Sequence, residues 1–294
     1  MATLYTQAEK NIRNTFLFIS GFVALIIGLG WLFSYILDEY LIVVIAIVIA
    51  IVESFLSYWY SDKFVLKMTG AVPVSKEDNP ELHRIVENLS ITAGLPKPKI
   101  YLIDSSQPNA FATGRDPEHS AIAVTKGLLN KLERVELEGV ISHEMAHIGN
   151  RDILLATVIV VLVGVVTLIS RYFLRASFFS NRRRKEGGIM LLVLGLLGAI
   201  LAPLAATLIR LAVSREREFL ADATGALLTR YPEGLARALE KISADNNILR
   251  TADYSTAHLF IISPFKGKQA KSVITRLFST HPPVEERIKR LRMM

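Results

Sequence analysis

Two histidines flank a glutamate in the run His143-Glu144-Met145-Ala146-His147. On a helix, residues four apart project from one face, so both imidazoles are placed to share one zinc ion. Zinc lowers the pKa of a bound water toward neutrality, and Glu144 stands ready to take its proton as the oxygen attacks a peptide carbonyl. The same carboxyl can then protonate the leaving amine. HExxH alone arises by chance in on the order of one per cent of chains of ordinary composition, where it is a surface helix with two solvated histidines. A catalytic zinc needs a third protein ligand and one open position. The chain has no cysteine, which removes thiolate sites, disulfides and cysteine nucleophiles and leaves His, Asp or Glu. The segment Ser214-Arg215-Glu216-Arg217-Glu218-Phe219-Leu220-Ala221-Asp222 offers Glu218 and Asp222, again four apart. Glu218 would ligate the metal, and Asp222 would accept a hydrogen bond from the far nitrogen of a zinc-bound histidine and hold its tautomer. Spacing alone leaves Glu216 as an alternative ligand, and a charged helix with ordinary ion pairs as the bland reading.

The elements that must position these residues lie in a chain with too much apolar sequence for an ordinary soluble domain. Of 294 residues, 51% are hydrophobic, and the mean hydropathy is +0.36. No charge falls between Thr15 and Leu37, and roughly 20 apolar residues cross a bilayer as a helix. This run is longer than a signal-peptide core and lacks a small-residue cleavage site, so it reads as a retained anchor. Asp38 and Glu39 turn the chain, and Leu41 to Tyr60 is again apolar except for Glu53, an interfacial or bundle-facing carboxylate, with Trp59 and Tyr60 suited to the membrane interface. Ile153 to Ser170 and Gly187 to Ile209 form a second hairpin around a basic loop. The division is therefore 1–61, a transmembrane hairpin; 62–152, the first part of a catalytic domain; 153–209, the second hairpin; and 210–294, the part carrying Glu218.

Between the hairpins, Asn79-Pro80 predicts a helix start, with Leu82, Ile85, Val86 and Leu89 as its core face and Gly94 and Pro96 as its end. Lys99 to Asp104, Asn109 to Gly114 and Ala121 to Lys126 predict a small sheet. A second helix from about Glu133 carries Leu137, Val140 and Ile141 and runs through the histidines, Gly149 being too weak a signal to stop it. Leu235, Ala238, Leu239 and Ile242 make another stripe, and Val284, Ile288 and Leu291 a last one.

Topology brings the two halves of the site together. His147 lies about six residues before the third span and Glu218 about nine after the fourth, so a hairpin returns both to one membrane side. At 1.5 Å per residue each stands roughly 10 Å from that surface, on helices continuing out of the spans. The net charge of +7 comes without a basic region interleaved with aromatics, which favours anionic lipid over nucleic acid as the partner. The six basic residues between Arg171 and Lys185 run against the positive-inside tendency if residues 62–152 are cytoplasmic. Either the first pair fixes the orientation, with Lys10 and Arg13 before it and Asp38 and Glu39 after it, or the second hairpin is not a full crossing.

With SHEMAHIGNRD at 142–152, SREREFLADA at 214–223, STHPPVEERI at 279–288 and two hairpins in that order, the chain resembles the HtpX-like membrane zinc metalloproteases, relatives of the CAAX prenyl proteases. The resemblance covers nearly the whole chain. It implies a mainly α integral membrane protein of four transmembrane helices plus a zincin-like (gluzincin) α+β catalytic domain, binding one Zn2+ and facing the cytoplasm from the cell membrane. It implies ATP-independent endoproteolysis of misfolded or damaged membrane proteins, and it places Glu218 rather than Glu216 on the ligand position, with Asp222 on the aspartate that follows. By the same likeness Asn109, Ala110, Phe111 and Ala112 open the edge strand that pairs with substrate backbone. His281 would donate to the tetrahedral oxyanion, although a histidine before Pro282-Pro283 also suits a helix cap. His83, His119 and His258 have no carboxylate at ligand spacing and default to structural or solvated roles. The competing readings are a CAAX-type prenyl protease, against which four spans argue, and a scaffold with a closed four-ligand structural zinc, against which three ligands argue.

Overall fold

The computed structural model describes residues 4–180, 214–247, 255–265 and 282–294. The first hairpin is α1 (Leu4–Leu37) and α2 (Leu41–Met68), joined at Asp38, whose φ of 54° makes the turn. Both helices are long and apolar enough to cross a membrane, over Ala8–Ile36 and Leu41–Met68. At about 1.5 Å per residue α1 is longer than a hydrocarbon core of about 30 Å, so a crossing helix of this length either tilts or extends past the lipid. On α2 the small residues Ala46 and Ala50 are buried, while Leu41, Val44, Ile45, Val48 and Ile49 point outward, as a lipid-facing helix requires. Glu53 is partly buried and lines a groove between α2 and the chain around Val161, Gly164 and Val165.

The domain that follows begins with a four-stranded sheet: β1 (Ala71–Pro73), β2 (Lys99–Ile103), β3 (Ala110–Gly114) and β4 (Ser120–Thr125), in the order β1-β2-β4-β3. β2 and β4 are parallel and the other pairs antiparallel, which leaves β3 at an edge. Between β1 and β2 runs α3 (Pro80–Ala93). Asn79 caps it by accepting from the Leu82 N–H at 3.0 Å, and Gly94 ends it at a φ of 65°. The three expected strands and this helix fall where the sequence puts them. The short β1 and a helix over Lys126–Lys131, here α4, were not foreseen.

α5 (Arg134–Gly149) is the central helix and is buried along most of its length, packed by Leu137, Val140, Ile141, Met145 and Ile148 against α3 and against α8 (Pro232–Ser243), whose Leu235, Ala238, Leu239 and Ile242 complete the core. α7 (Arg215–Thr229) and α9 (Val284–Leu291) close the remaining sides.

Two expectations about continuity are corrected. α5 does not pass into the third span: it stops at Gly149, Arg151 takes a left-handed φ of 55°, and α6 (Asp152–Ser180) leaves at 83° to it. The stop carries neither proline nor a decisive glycine; the Asn150 and Arg151 N–H groups bond to the Ala146 and Ile148 carbonyls and close the last turn. α7 likewise starts afresh at Ser214, an extended residue whose Oγ accepts from the Arg217 N–H at 3.3 Å. The expected third span lies on α6, whose Leu154, Leu155, Val158, Ile159 and Leu162 pack against Phe22, Ile26, Ala46 and Ala50. The expected fourth span, 187–209, and the basic residues 182–185 before it lie outside the described residues.

Candidate metal centre

α5 and α7 cross so that His143, His147 and Glu218 offer ligand atoms all within 4.8 Å of one another. The two Nε2 atoms are 3.1 Å apart, and Glu218 carboxylate oxygens lie 3.6 Å from that of His147 and 4.0 Å from that of His143. Behind the rings, His143 Nδ1 meets Asp222 at 2.9 Å and His147 Nδ1 meets Asp152 at 2.9 Å. A carboxylate accepts, so each Nδ1 carries the hydrogen and each Nε2 is the ring atom turned inward. Two ring nitrogens and a carboxylate facing one another call for positive charge between them, which a bound cation would supply and which, without one, a second proton on His147 supplies. Burial pulls His143 down to about 4, with Asp222 opposing; burial also pulls on His147, but the Asp152 hydrogen bond and the Glu218 charge override it and hold that ring up at about 9. Two imidazoles and one carboxylate are the donor set that divalent zinc favours in a site left open on one side. Glu216 is exposed on the opposite side of α7 and faces none of this.

Glu144 is 2% exposed, and burial raises its carboxyl to about 7, with Glu218 adding to the rise. The backbone N–H of Ala112 on β3 works against that rise, which places the carboxyl near the sheet edge as well as the histidines. The cleft here is lined by Ala112, Ala156, Arg217, His258 and Phe260. On β3, alternation aims the polar groups of Ala110, Ala112 and Gly114 away from β4. Ala110 is already engaged, since its carbonyl accepts from the Ile261 N–H at 3.0 Å and its N–H donates to the Asn109 side chain at 3.1 Å. Asn109 also donates to the Ile262 carbonyl at 2.9 Å, and Phe111 packs edge-on against Phe260. Of the four strand residues singled out from the sequence, Ala112 therefore fronts the cleft, while Asn109, Ala110 and Phe111 hold the segment beside it. His281 lies outside the described residues. His119 does have a carboxylate partner, its Nδ1 donating to Asp116 at 2.8 Å, outside the metal group, and His83 bonds the Val74 carbonyl at 3.0 Å.

Two charged groups at the centre went unread in the sequence. Asp152, the first residue of α6, orients His147, and the break after Gly149 is what brings it there. Arg287, on α9, is 1% exposed and grips Asp222 with two bonds, Nε at 2.8 Å and an Nη2 at 2.7 Å. Its Nη1 donates to the Ile261 carbonyl at 2.9 Å and lies 3.6 Å from Glu218. With Arg287 and His143 beside it, Asp222 stays ionised down to about 2 despite its burial.

The crossing of α5 and α7 depends on Gly225, where an added Cβ would stand 3.0 Å from the His143 backbone nitrogen and 3.0 Å from Ser142 Oγ. Gly225→Val is expected to push α7 away, costing about 1–3 kcal/mol of stability and loosening metal binding. Thermal unfolding with and without added zinc checks both effects.

Residues 76–294 match the profile of peptidase family M48. Over 99% of its length the chain is 46% identical to the Protease HtpX homolog of Thermoanaerobacter pseudethanolicus, covering 98% of that protein. The Protease HtpX homolog of Pyrococcus furiosus is also 46% identical, over 95% of this chain and 94% of that one. Among solved structures, S. mikatae Ste24p matches with a TM-score of 0.51 at 22% identity, over 95% of this chain and 66% of its own, a likeness of fold. The profile and the relatives matched over nearly their full length show that the chain belongs to peptidase family M48 and, within it, to the HtpX-like proteases.

Proposed function

We propose that this protein is a zinc-dependent endopeptidase that cleaves unfolded or damaged membrane proteins at the cytoplasmic face of the cell membrane. The observation that carries the reading is the pair of imidazoles turned toward Glu218 by Asp222 and Asp152, with Glu144 alongside. His143, His147 and Glu218 would hold the ion, and a bound zinc would supply Lewis acidity to a water and to the scissile carbonyl. The chain's own residues do the rest. Asp152 and Asp222 hold Nδ1 of each ring, so that Nε2 is the atom each ring offers to the ion. Glu144, poised near neutrality by burial, accepts a proton from the attacking water on its carboxylate oxygen and delivers it to the nitrogen of the departing amine. Ala112 presents the one stretch of β3 edge that faces the cleft, where a substrate main chain can lie for a residue or two. The two apolar helices α1 and α2 support a site of action at a bilayer, with membrane-embedded or unfolded chains as substrates.

Metal removal tests this. Casein cleavage by the full-length protein in detergent is expected to vanish with a chelator and to return with stoichiometric zinc. Activity that survives chelation would sink the proposal, and cleavage of a prenylated peptide in preference to casein would redirect it to prenyl processing.

A further inference from the structure

The side chain of Asn11, one turn before the apolar run of α1, is fully buried, whereas Lys10 and Arg13 beside it are exposed. Its amide is completely engaged. Nδ2 donates to Asp152 Oδ1 at 2.6 Å and to the Asn150 carbonyl at 3.0 Å, while Oδ1 accepts from the Arg217 Nη1 at 3.0 Å. The partners fix which way the amide points, because a carboxylate and a carbonyl can only accept and a guanidinium can only donate. The other oxygen of Asp152 holds His147 Nδ1, and Arg217 directly precedes Glu218 on α7. One side chain on the first membrane helix thus touches the start of α6, the backbone at the α5–α6 break and the first turn of α7. Those are the three places whose alignment decides whether His147 and Glu218 converge.

We infer that Asn11 is a positioning residue for the metal centre, which makes the first membrane helix a structural part of the site as well as an anchor. The inference rests on the zinc reading above. Asn11 touches no ligand atom; it acts through Asp152 and Arg217. Losing its Nδ2 takes the nearest donor from the far oxygen of Asp152, leaving the Arg217 Nε 3.9 Å away there, and loosens the hold of that carboxylate on His147. Losing its Oδ1 takes an acceptor from Arg217, next to Glu218. Removal of an outer partner of a metal ligand commonly weakens metal binding by about 10–100-fold.

The test uses the full-length protein in detergent or nanodiscs, with zinc affinity measured by competition against a chromophoric chelator and thermal unfolding followed in parallel. Asn11→Leu, of similar size, and Asn11→Ala, which cannot clash, are both expected to bind zinc about 10–100-fold more weakly. Thr15→Val is the control. Thr15 is buried on the same face of α1 but bonds only the Asn11 carbonyl within its own helix, so zinc affinity should stay within twofold. In an Asp152→Asn background, Asn11→Ala should cost less than it does in the wild type, because the share of its effect that runs through Asp152 is already gone and the share through Arg217 remains. Zinc affinity within twofold of wild type for a folded Asn11→Ala, or losses that simply multiply with Asp152→Asn, would overturn the inference. If wild-type protein and His143→Ala bind zinc alike, it is the metal assignment that fails, and the two failures are distinguishable.

Discussion

Glu144→Gln is expected to lower casein turnover by about 10²–10⁴-fold with zinc still bound. The substitution keeps the size and shape of the side chain, but an amide can neither take the water's proton nor hand one to the amine. Its position argues for a loss confined to turnover: Glu144 is buried beside the histidines yet does not belong to the converging group of His143, His147 and Glu218. Steady-state kinetics beside a zinc count decides the matter. Loss of zinc together with activity would make Glu144 a ligand, and retained activity would move the proton transfer to another group.

Arg287→Met carries the largest expected cost in stability. Asp222 is buried and ionised, and Arg287 is its two-toothed partner, so removing the guanidinium strands a carboxylate in the core. Breaking a buried pair from one side costs about 3–5 kcal/mol, and Arg287→Lys should recover little, since an ammonium cannot make two parallel bonds. The double change Arg287→Met with Asp222→Asn is expected to be more stable than Arg287→Met alone while still binding zinc weakly, because the amide no longer needs the cation but holds His143 poorly. Chemical denaturation of the metal-free and zinc-loaded protein separates the two contributions. A single Arg287→Met variant as stable as wild type would mean that Asp222 is protonated in the folded state.

Much of this centre is local and therefore legible. HExxH and Glu218-xxx-Asp222 each place two groups on successive turns of one helix, which sequence spacing reports directly. Asp152 is different. Had α5 continued as expected, residue 152 would have pointed well away from His147; a left-handed Arg151, invisible to any count of apolar residues, brings it back. Arg287 left a trace that was passed over. Val284, Ile288 and Leu291 define the buried face of α9, and position 287 falls on that same face, so an arginine there had to find a buried carboxylate. Among Glu285, Glu286, Lys289 and Arg290 it reads instead as one more solvated charge. α5 shows the same limit from the other side. A helix buried on most faces has no single stripe, so Leu137, Val140 and Ile141 indicated only part of its packing.

The engaged state of Ala110 bears on the proposed cleavage of damaged proteins in preference to sound ones. With Ile261 holding that end of the edge, a visiting chain can gain only a few main-chain hydrogen bonds around Ala112, each worth about 0.5–1.5 kcal/mol net. A sound domain resists unfolding by about 5–15 kcal/mol. So weak a grip cannot pry open a structure that is holding itself shut, and no nucleotide hydrolysis is invoked to help it. Selection then needs no recognition of damage as such: the cleft offers a handshake too faint for any chain except one whose main chain is already loose.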